Sequence, residues 1–585
     1  MRSNRGWEGL PSYSKEMFKE RYFDKREDYA KWLDRVAGSY ADDREHAERI
    51  KMYIENYWFM PSTPVSSNAG LPDKGLPISC YTNEVEDSKA GIFSTWEENN
   101  WLGSYGGGIG TTWSNVRGIG ERIGANGKSS GIIPFIKVSD STTLAVSQGG
   151  LRRASQAVYL DVSHPEISEF IDIRRPTGDG ERRSPNIHHG VTLSDAFMYA
   201  VEDRAEWHLI SPKTKEIVAT VDAFDLFKKM LVSRVETGEP YMFFKDNANN
   251  QAPDDYKTAG RVIKTSNLCS EIMLHTDKDT SGVCCLTSMN LEYYDEWRLD
   301  EKFLEDIHSY TDNILSEFIR LTKGKEGFQK ARKGAKEERS IGLGVMGYHS
   351  YLQSNNLPVR SLSTSYVTKE MFKYIGDKLY QSNIHLAIKK GKAPTSAKLR
   401  NVNVTSIAPT ASISTLCNLT SPGIDTRVSN IYTAKTNIGS HTIKNKYLDS
   451  LLIAHIDKEV KGNSIWKANW IEDQWKSINK EGGSVQHLDW MRQDDKEVFK
   501  TAFEVNPHAV INNVSLMQPH ITQGISTNLF LPADIDVQIL YNVHMSAWKK
   551  GLKSLYYVRS KAISRASVGN QERVELEQDT CLSCA

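Results

Sequence analysis

From about residue 90 to 440 the chain alternates short, almost wholly apolar runs with longer amphipathic ones, as in "GVCCLTSMNL" followed by "DEKFLEDIHSYTDNILSEFIRLT". Short apolar runs bounded by turn residues read as buried strands, and the longer segments carry a helical period. That order predicts an α/β core rather than a bundle or an all-β sandwich. Ahead of it, "SKEMFKERYFDKREDYAKWLDRVAG" and "DREHAERIKMYIENYWF" space their aromatics three and four residues apart, which predicts an N-terminal helical region over residues 1–60. Residues 61–560 are expected to form the catalytic body with helical insertions, and residues 561–585, largely polar, a flexible tail.

Charge narrows the function classes. Lys+Arg and Asp+Glu are both 73, so no net field points to nucleic acid or an acidic membrane. No apolar run is long enough to span a bilayer, and "MRSNRGWEGL" lacks the apolar stretch of a signal peptide; a cytoplasmic location is the expectation. In a reducing compartment the seven cysteines are too few for a disulfide scaffold, and most such residues are inert core.

Several short motifs carry candidate chemistry. If "TSNLCSEIML" is extended, Asn267, Cys269 and Glu271 lie on one side, which sets an amide, a thiol and a carboxylate on one wall. The bland alternative is a buried cysteine between two surface polar residues. The same alternation puts Cys284 and Cys285 on opposite faces, so one of them at most faces a shared site. Cys80 sits beside Ser79 in "LPISCYT". "VTSIAPTASISTLCN" sets Thr410, Ser412 and Ser414 at an expected helix start, where hydroxyls and free N–H groups suit a phosphate, or simply cap the helix. "SYGGGIGTTW" and "RGIGERIGANGKSSGIIPF" could cradle phosphate or be plain loops; Gly127-Lys128-Ser129 ends like a P-loop, but the first glycine of that motif would fall on Arg122. The paired Tyr556 and Tyr557 in "KSLYYVRS" read as packing or as a relay for an electron and a proton. Glu305 and His308 make a single E-x-x-H, short of the two that a di-metal bundle site needs. Cys581 and Cys584 form a C-x-x-C on the tail.

Taken in order, "STP…SCYTNEVEDS", "GGGIG", "SQGGLRRAS", "SNLCSEI", "CCLTSMNL", "APTASIS", "LYY" and the terminal C-x-x-C resemble the catalytic large subunit of class I ribonucleotide reductases, from roughly residue 10 to the end. The resemblance implies a ten-stranded α/β barrel with Cys269 on a loop inside it. It implies that Cys269 becomes the thiyl radical, Glu271 is the general base for the 3′ hydroxyl and Asn267 binds the substrate. Cys80 and Cys284 match the pair that reduces the 2′ position, Tyr556 and Tyr557 the radical-transfer pair, and Cys581 and Cys584 the tail dithiol that reopens the resulting disulfide. The 24 residues from Tyr557 to Cys581, if flexible, reach roughly 25–30 Å. Thr63, Ser79, Thr410, Ala411, Ser412, Ile413 and Ser414 match substrate-binding positions, and Asp87, Lys128 and Arg183 effector-binding ones.

The same resemblance implies no cofactor in this chain, ATP or deoxynucleotide effectors at a dimer-interface specificity site, and a radical from a metal-containing small (beta) subunit. It also implies a thioredoxin or glutaredoxin partner and a homodimer. No ATP-binding cone fits before the catalytic region, so specificity control without cone-mediated dATP shut-off is expected. Two alternatives stand beside it: an adenosylcobalamin-dependent reductase, which usually lacks the tyrosine pair, and a thiol–disulfide oxidoreductase, which leaves "SNLCSEI" unexplained.

Overall fold

The computed structural model describes residues 5–560 apart from 72, 126, 148–152, 438, 460–463 and 533–534. The tail cysteines Cys581 and Cys584 lie outside the described residues. Among those residues no helix is long and apolar enough to cross a membrane.

Two N-terminal helices begin where the sequence supplies a carboxylate cap. Asp28 accepts the Lys31 N–H ahead of Tyr29–Tyr40, and Asp43 accepts the His46 N–H ahead of Arg44–Glu55. Their apolar faces, led by Trp32, Val36, Ile50 and Tyr53, are buried in the same core as the long helix Phe303–Leu321. Tyr310 Oη donates to the Val36 carbonyl, and Arg49 pairs with Asp306. The helical layer is therefore a lid sharing the main core.

That core surrounds a ring of strands. Cys80–Glu84, Gly108–Thr112, Ser155–Asp161, His188–Leu193 and Tyr241–Phe244 pair in parallel, each with the next in sequence. A second set of five continues the ring in the opposite direction. The nine-residue strand Gly282–Asn290, buried along its whole length, lies antiparallel to Cys80–Glu84 and parallel to Ile341–Met346. Leu343 then bridges Thr405, and Ile407 bridges Ile525, both in parallel. Leu529–Leu531 runs parallel to Val558–Ser560, and Tyr556 N–H donates to the Thr527 carbonyl. Ser554–Leu555 closes the circle against Tyr241–Phe244. This is the ten-stranded α/β barrel expected from the resemblance, and closure leaves its ten segments no open edge between them.

A barrel of about eight strands is just wide enough for its own side chains to fill. Ten strands leave room for something more, and the segment around residues 265–275 runs through the interior. Glycines in the wall make the space. A Cβ on Gly110 would fall 1.8 Å from the Ser266 carbonyl oxygen, and one on Gly524 would crowd the Ser270 and Glu271 carbonyls at 3.1 Å. "GGGIG" is therefore in part a strand, Gly108–Thr112, and at Gly110 its missing side chain admits another piece of chain rather than a phosphate.

Outside the barrel, the hairpin Ile431–Lys435 and Ser440–Lys444 leads into helices Lys446–Glu459 and Ser464–Lys480. This insertion has its own small core, including Leu448, Leu452, Trp475 and Phe499.

Replacing Gly110 by valine should destabilise the protein by at least about 2 kcal/mol, because the clash is with backbone that cannot rotate away. Gly38, whose Cβ would meet nothing within 4 Å on its helix, is the control. Gly38→Ala should be neutral or gain about 0.5–1 kcal/mol. Urea denaturation of the two variants checks both signs.

Candidate active site

The interior segment is irregular and buried, so each of its backbone carbonyls needs a partner. Hydroxyls supply most of them. Tyr159 Oη donates to Asn267 O at 2.7 Å, Ser526 Oγ to Cys269 O at 2.5 Å, and Ser554 Oγ to Ser270 O at 2.7 Å. Glu271 O accepts from Ser406 Oγ at 2.9 Å and from Gly524 N–H at 2.8 Å, and Ile272 O accepts from Ser266 Oγ at 2.8 Å. Four of the donors sit on the strand segments of the second half of the ring and its joins.

The loop is a turn and not the extended strand that period-two alternation assumed. Ser270 takes a left-handed φ of +64°. Asn267 and Glu271 do meet, but by another route. Asn267 Nδ2 donates to Glu271 Oε1 at 2.9 Å, while Asn267 Oδ1 accepts the N–H groups of Glu271 and Ile272 at 3.1 and 3.0 Å. The amide caps the turn and fixes the carboxylate. Ser526 Oγ reaches the other oxygen, Oε2, at 3.3 Å.

The loop separates two interior clusters. On one side Ile272 and Leu274 pack with Cys80, Cys284, Leu286 and Ala408. Cys80 and Cys284 face one another as partners in the antiparallel register, both as thiols and both buried. Burial pushes the Cys284 thiol well above its ordinary pKa, and a hydrogen bond from Gln523 opposes that rise. Cys285 points the other way, into the main core, so the two-face reading of "CCLTSMNL" holds and Cys284 is the one that shares a site with Cys80.

On the other side Leu268, Cys269 and Met273 pack with Tyr159, Tyr241, Phe243 and Tyr556, with Tyr557 against them. Cys269 is 1% exposed. The rings of Tyr556 and Tyr557 are 4.2 Å apart, centroid to centroid. Tyr241 completes a triangle with them at 4.7 and 5.1 Å. The Tyr556 strand is pinned by buried Arg234, which donates to Tyr556 O at 2.9 Å. Tyr557 Oη lies 3.2 Å from His188 Nδ1, which in turn contacts Glu239 Oε1 at 2.5 Å. Burial alone would raise the Glu239 carboxyl, but Arg174 and the two histidines His188 and His189 outweigh it and hold it well below the usual range. Sequence reasoning missed Tyr241 and this charged network. "EPYMFF" reads as an ordinary buried strand, and no local spacing ties it to residues more than three hundred positions away.

The other expected site residues fall around the dithiol cluster or on the periphery. Thr63 begins the short helix Thr63–Asn68 and pairs with Tyr22 Oη at 3.1 Å. Ser79 is buried directly before Cys80. Thr410 takes a φ of +55°, accepts the Gly423 N–H at 2.7 Å, and starts the expected helix, Ala411–Leu416, that carries Ser412, Ile413 and Ser414. Ser412 Oγ is buried with no hydrogen-bond partner among the described residues. A buried hydroxyl left so is poised for a ligand. Asp87 is engaged by Arg117 at 2.9 Å, and Lys128 is exposed on the hairpin of Arg122–Ile123 and Gly127–Lys128. Arg183 folds back on the Thr177 carbonyl at 3.0 Å. His308 of the E-x-x-H pair is buried against Ser382 Oγ and Asn401 Oδ1. Among the described residues no group of three His, Cys, Asp or Glu side chains is placed to hold a metal.

A ten-stranded barrel threaded by a cysteine loop, with a dithiol on one side and closely packed tyrosines on the other, defines a radical enzyme that reduces its substrate with thiols. The ribonucleotide reductase barrel-domain family model matches residues 78–398 and 395–558, and the all-alpha-domain model of that enzyme residues 10–74. The chain belongs to the ribonucleotide reductase large-subunit family. It is 38% identical over 521 residues to the corresponding large-subunit sequence of Frog virus 3 (isolate Goorha), covering 88% of each chain. It is 35% identical over 580 residues to the ribonucleoside-diphosphate reductase large subunit of Invertebrate iridescent virus 3, covering 89% of each. The solved alpha subunit of the Actinobacillus ureae class Id ribonucleotide reductase superposes with a TM-score of 0.83 at 32% identity, over 95% of this chain and 98% of that one.

Ser526→Ala removes the buried hydroxyl that donates to the Cys269 carbonyl and to Glu271 Oε2, which should cost about 1–3 kcal/mol. A loss within that range in urea denaturation, with unchanged far-UV circular dichroism, is the expected outcome.

Proposed function

We propose that the chain is the catalytic large subunit of a class I ribonucleoside-diphosphate reductase, making deoxyribonucleotides by thiyl-radical chemistry. The observation that carries this reading is the separation made by the interior loop. Cys269 packs with Tyr556 on one side, while the loop's next residues pack with the opposed Cys80 and Cys284 on the other.

The roles follow from the chemistry of these groups. An oxidising equivalent passes from a separate radical-bearing small subunit through Tyr557 and Tyr556 to Cys269. The Cys269 sulfur radical takes the 3′ hydrogen atom of the ribose, while Glu271, oriented by Asn267, takes the 3′ hydroxyl proton. The 2′ hydroxyl then leaves as water. Cys80 and Cys284 supply the two electrons and two protons for this and end as a disulfide. Cys269 returns its hydrogen atom to C3′ and is a radical again. The net change is one ribonucleotide and two thiols to one deoxyribonucleotide, one disulfide and one water.

Burial of Cys269 supports this use, because a sulfur radical survives where water and stray reductants are excluded. Thr63, Ser79 and the turn from Thr410 to Ser414 are proposed to hold the substrate, with the unpartnered Ser412 hydroxyl reaching a phosphate oxygen. The tail dithiol Cys581 and Cys584 is proposed to reopen the disulfide and to be reduced by thioredoxin or glutaredoxin. Asp87, Lys128 and Arg183 are proposed to bind a nucleotide effector at a homodimer interface, and the segment "RRPTGDGERRSPN" from Arg174 to Asn186 to pass its identity to the substrate site.

Cys269→Ser and Tyr556→Phe should each fold, by circular dichroism, yet make no deoxynucleotide with the small subunit present. A competent Cys269→Ser enzyme refutes the mechanism, and activity of the chain alone with adenosylcobalamin would assign it to the cobalamin class instead.

Deleting Gly178–Gly180 should blunt effector control of substrate choice before it lowers activity, as read from product ratios across the four substrates with each effector. Unchanged retuning by effectors would remove Arg183 and its loop from that role.

A further inference from the structure

The reductive thiols have a neighbour that none of the expected roles includes. Gln523 lies in the buried join before the 525–531 part of the wall, and it is 0% exposed. Its side-chain amide is held at both ends. Oε1 accepts the Met273 N–H at 3.1 Å, and Nε2 donates to the Ile341 carbonyl at 3.0 Å. Met273 N–H can only donate and Ile341 O can only accept, so these contacts settle which end of the amide is which. The NH2 group is therefore the end that faces Cys284, at 3.4 Å from Sγ.

The backbone beneath Gln523 is fixed as firmly. Lys553, fully buried, donates through Nζ to the carbonyls of Ile521, Thr522 and Gln523 at 3.2, 2.8 and 2.8 Å. Gln523 N–H donates to Thr405 O at 3.0 Å. The wall behind Cys284 is also tight. A Cβ on Gly342 would sit 2.9 Å from Sγ.

A fixed N–H donor at a buried sulfur does little for a thiol, a weak acceptor, and much more for a thiolate. We propose that Gln523 makes Cys284 the sulfur that carries the negative charge when the active-site disulfide is reopened. The inference rests on the reading of Cys80 and Cys284 as the reductive pair. An incoming thiolate bonds to Cys80 Sγ, and the bond from Cys80 to Cys284 breaks. Its electron pair leaves on Cys284 Sγ, where the Gln523 amide donates to it. A second thiolate then bonds to the first incoming sulfur, the bond from that sulfur to Cys80 breaks with its electron pair leaving on Cys80 Sγ, and two protons from solvent restore both thiols. Exchange is faster when the leaving thiolate is more stable, so the amide sets both the rate and the direction of attack. The packing agrees, because Gly342 and the Gln523 amide both abut the Cys284 sulfur.

The test uses the full chain with its small subunit and compares wild type, Gln523→Glu and Gln523→Met. Glutamate keeps the acceptor for Met273 N–H. Once ionised, it sets a negative charge against the sulfur in place of a donor. Prereduced enzyme without external reductant gives the first turnover, and dithiothreitol as sole reductant gives sustained turnover. For Gln523→Glu the first-turnover yield should match wild type. Sustained turnover should fall about tenfold, and the deficit should deepen as pH rises and the new carboxyl ionises. Brief treatment of oxidised wild type with 2-mercaptoethanol, acid quench and peptide mapping should place the adduct on Cys80.

An adduct mainly on Cys284, or sustained turnover of Gln523→Glu equal to wild type at every pH, overturns the proposal. Loss of the first turnover in Gln523→Glu also overturns it, since that outcome means the amide only holds the barrel together. Gln523→Met should reproduce the sustained-turnover defect without its added pH dependence. If prereduced wild type makes no deoxynucleotide, the underlying function fails instead, and the two failures are thereby distinct.

Discussion

A run of irregular backbone inside a closed barrel is costly unless every carbonyl and N–H finds a partner, and the rest of this structure follows from meeting that demand. Each buried carbonyl without a donor would cost about 1–3 kcal/mol, and several such losses would consume the marginal stability of a fold. The wall answers with small hydroxyl side chains and glycines. Ser406, Ser526 and Ser554 donate inward, while Gly110 and Gly524 remove the Cβ atoms that would keep the chain out. Every one of them acts on the segment that carries Asn267, Cys269 and Glu271. The constraint that lets the loop exist also fixes where its three functional side chains stand.

Fixing the loop divides the interior in two. Leu268, Cys269 and Met273 turn toward the tyrosines, Ile272 and Leu274 toward the dithiol. In the proposed mechanism a one-electron path and a two-electron store are thus kept on opposite sides of one strip of backbone. A tyrosyl or thiyl radical next to a pair of thiols would be quenched by them. In the proposed mechanism the substrate sugar is the group that meets both. The separation costs no extra structure, since it comes from which way successive side chains point.

What was legible in the sequence depended on how local the signal was. The split of Cys284 from Cys285 needed only period-two alternation along one strand, and the structure keeps it. The union of Asn267 with Glu271 was anticipated for the wrong reason. The expected extended segment is a turn with Ser270 at positive φ, and the two side chains meet because an amide caps that turn. "GGGIG" was ambiguous for a physical reason, because a missing Cβ serves a passing strand of chain as well as it serves a phosphate. Two members of the ring, around 405–407 and 525–527, are bridges too short for any periodicity to register. Tyr241, Arg234 and Gln523 were silent because each acts on a partner far away in sequence. Tyr241 to Tyr556 and Gln523 to Cys284 are contacts that only closure of the barrel creates. The family resemblance supplied the barrel as a whole, which neither composition nor spacing could.

The join between residues 521 and 529 shows how closely support and chemistry are merged. Within a few positions Gln523 touches the Cys284 sulfur, Ser526 holds both the Cys269 carbonyl and the Glu271 carboxylate, and Thr527 accepts the Tyr556 N–H. One short segment therefore contacts the dithiol, the loop and the tyrosine strand at once. The buried ammonium of Lys553 grips its first three carbonyls from the tyrosine strand itself. A shift of the strand bearing Tyr556 would move Gln523 and Ser526 with it. In the proposed mechanism the geometry for delivering an oxidising equivalent and the geometry for refilling the thiols are thus set by the same few hydrogen bonds, and neither can drift without the other.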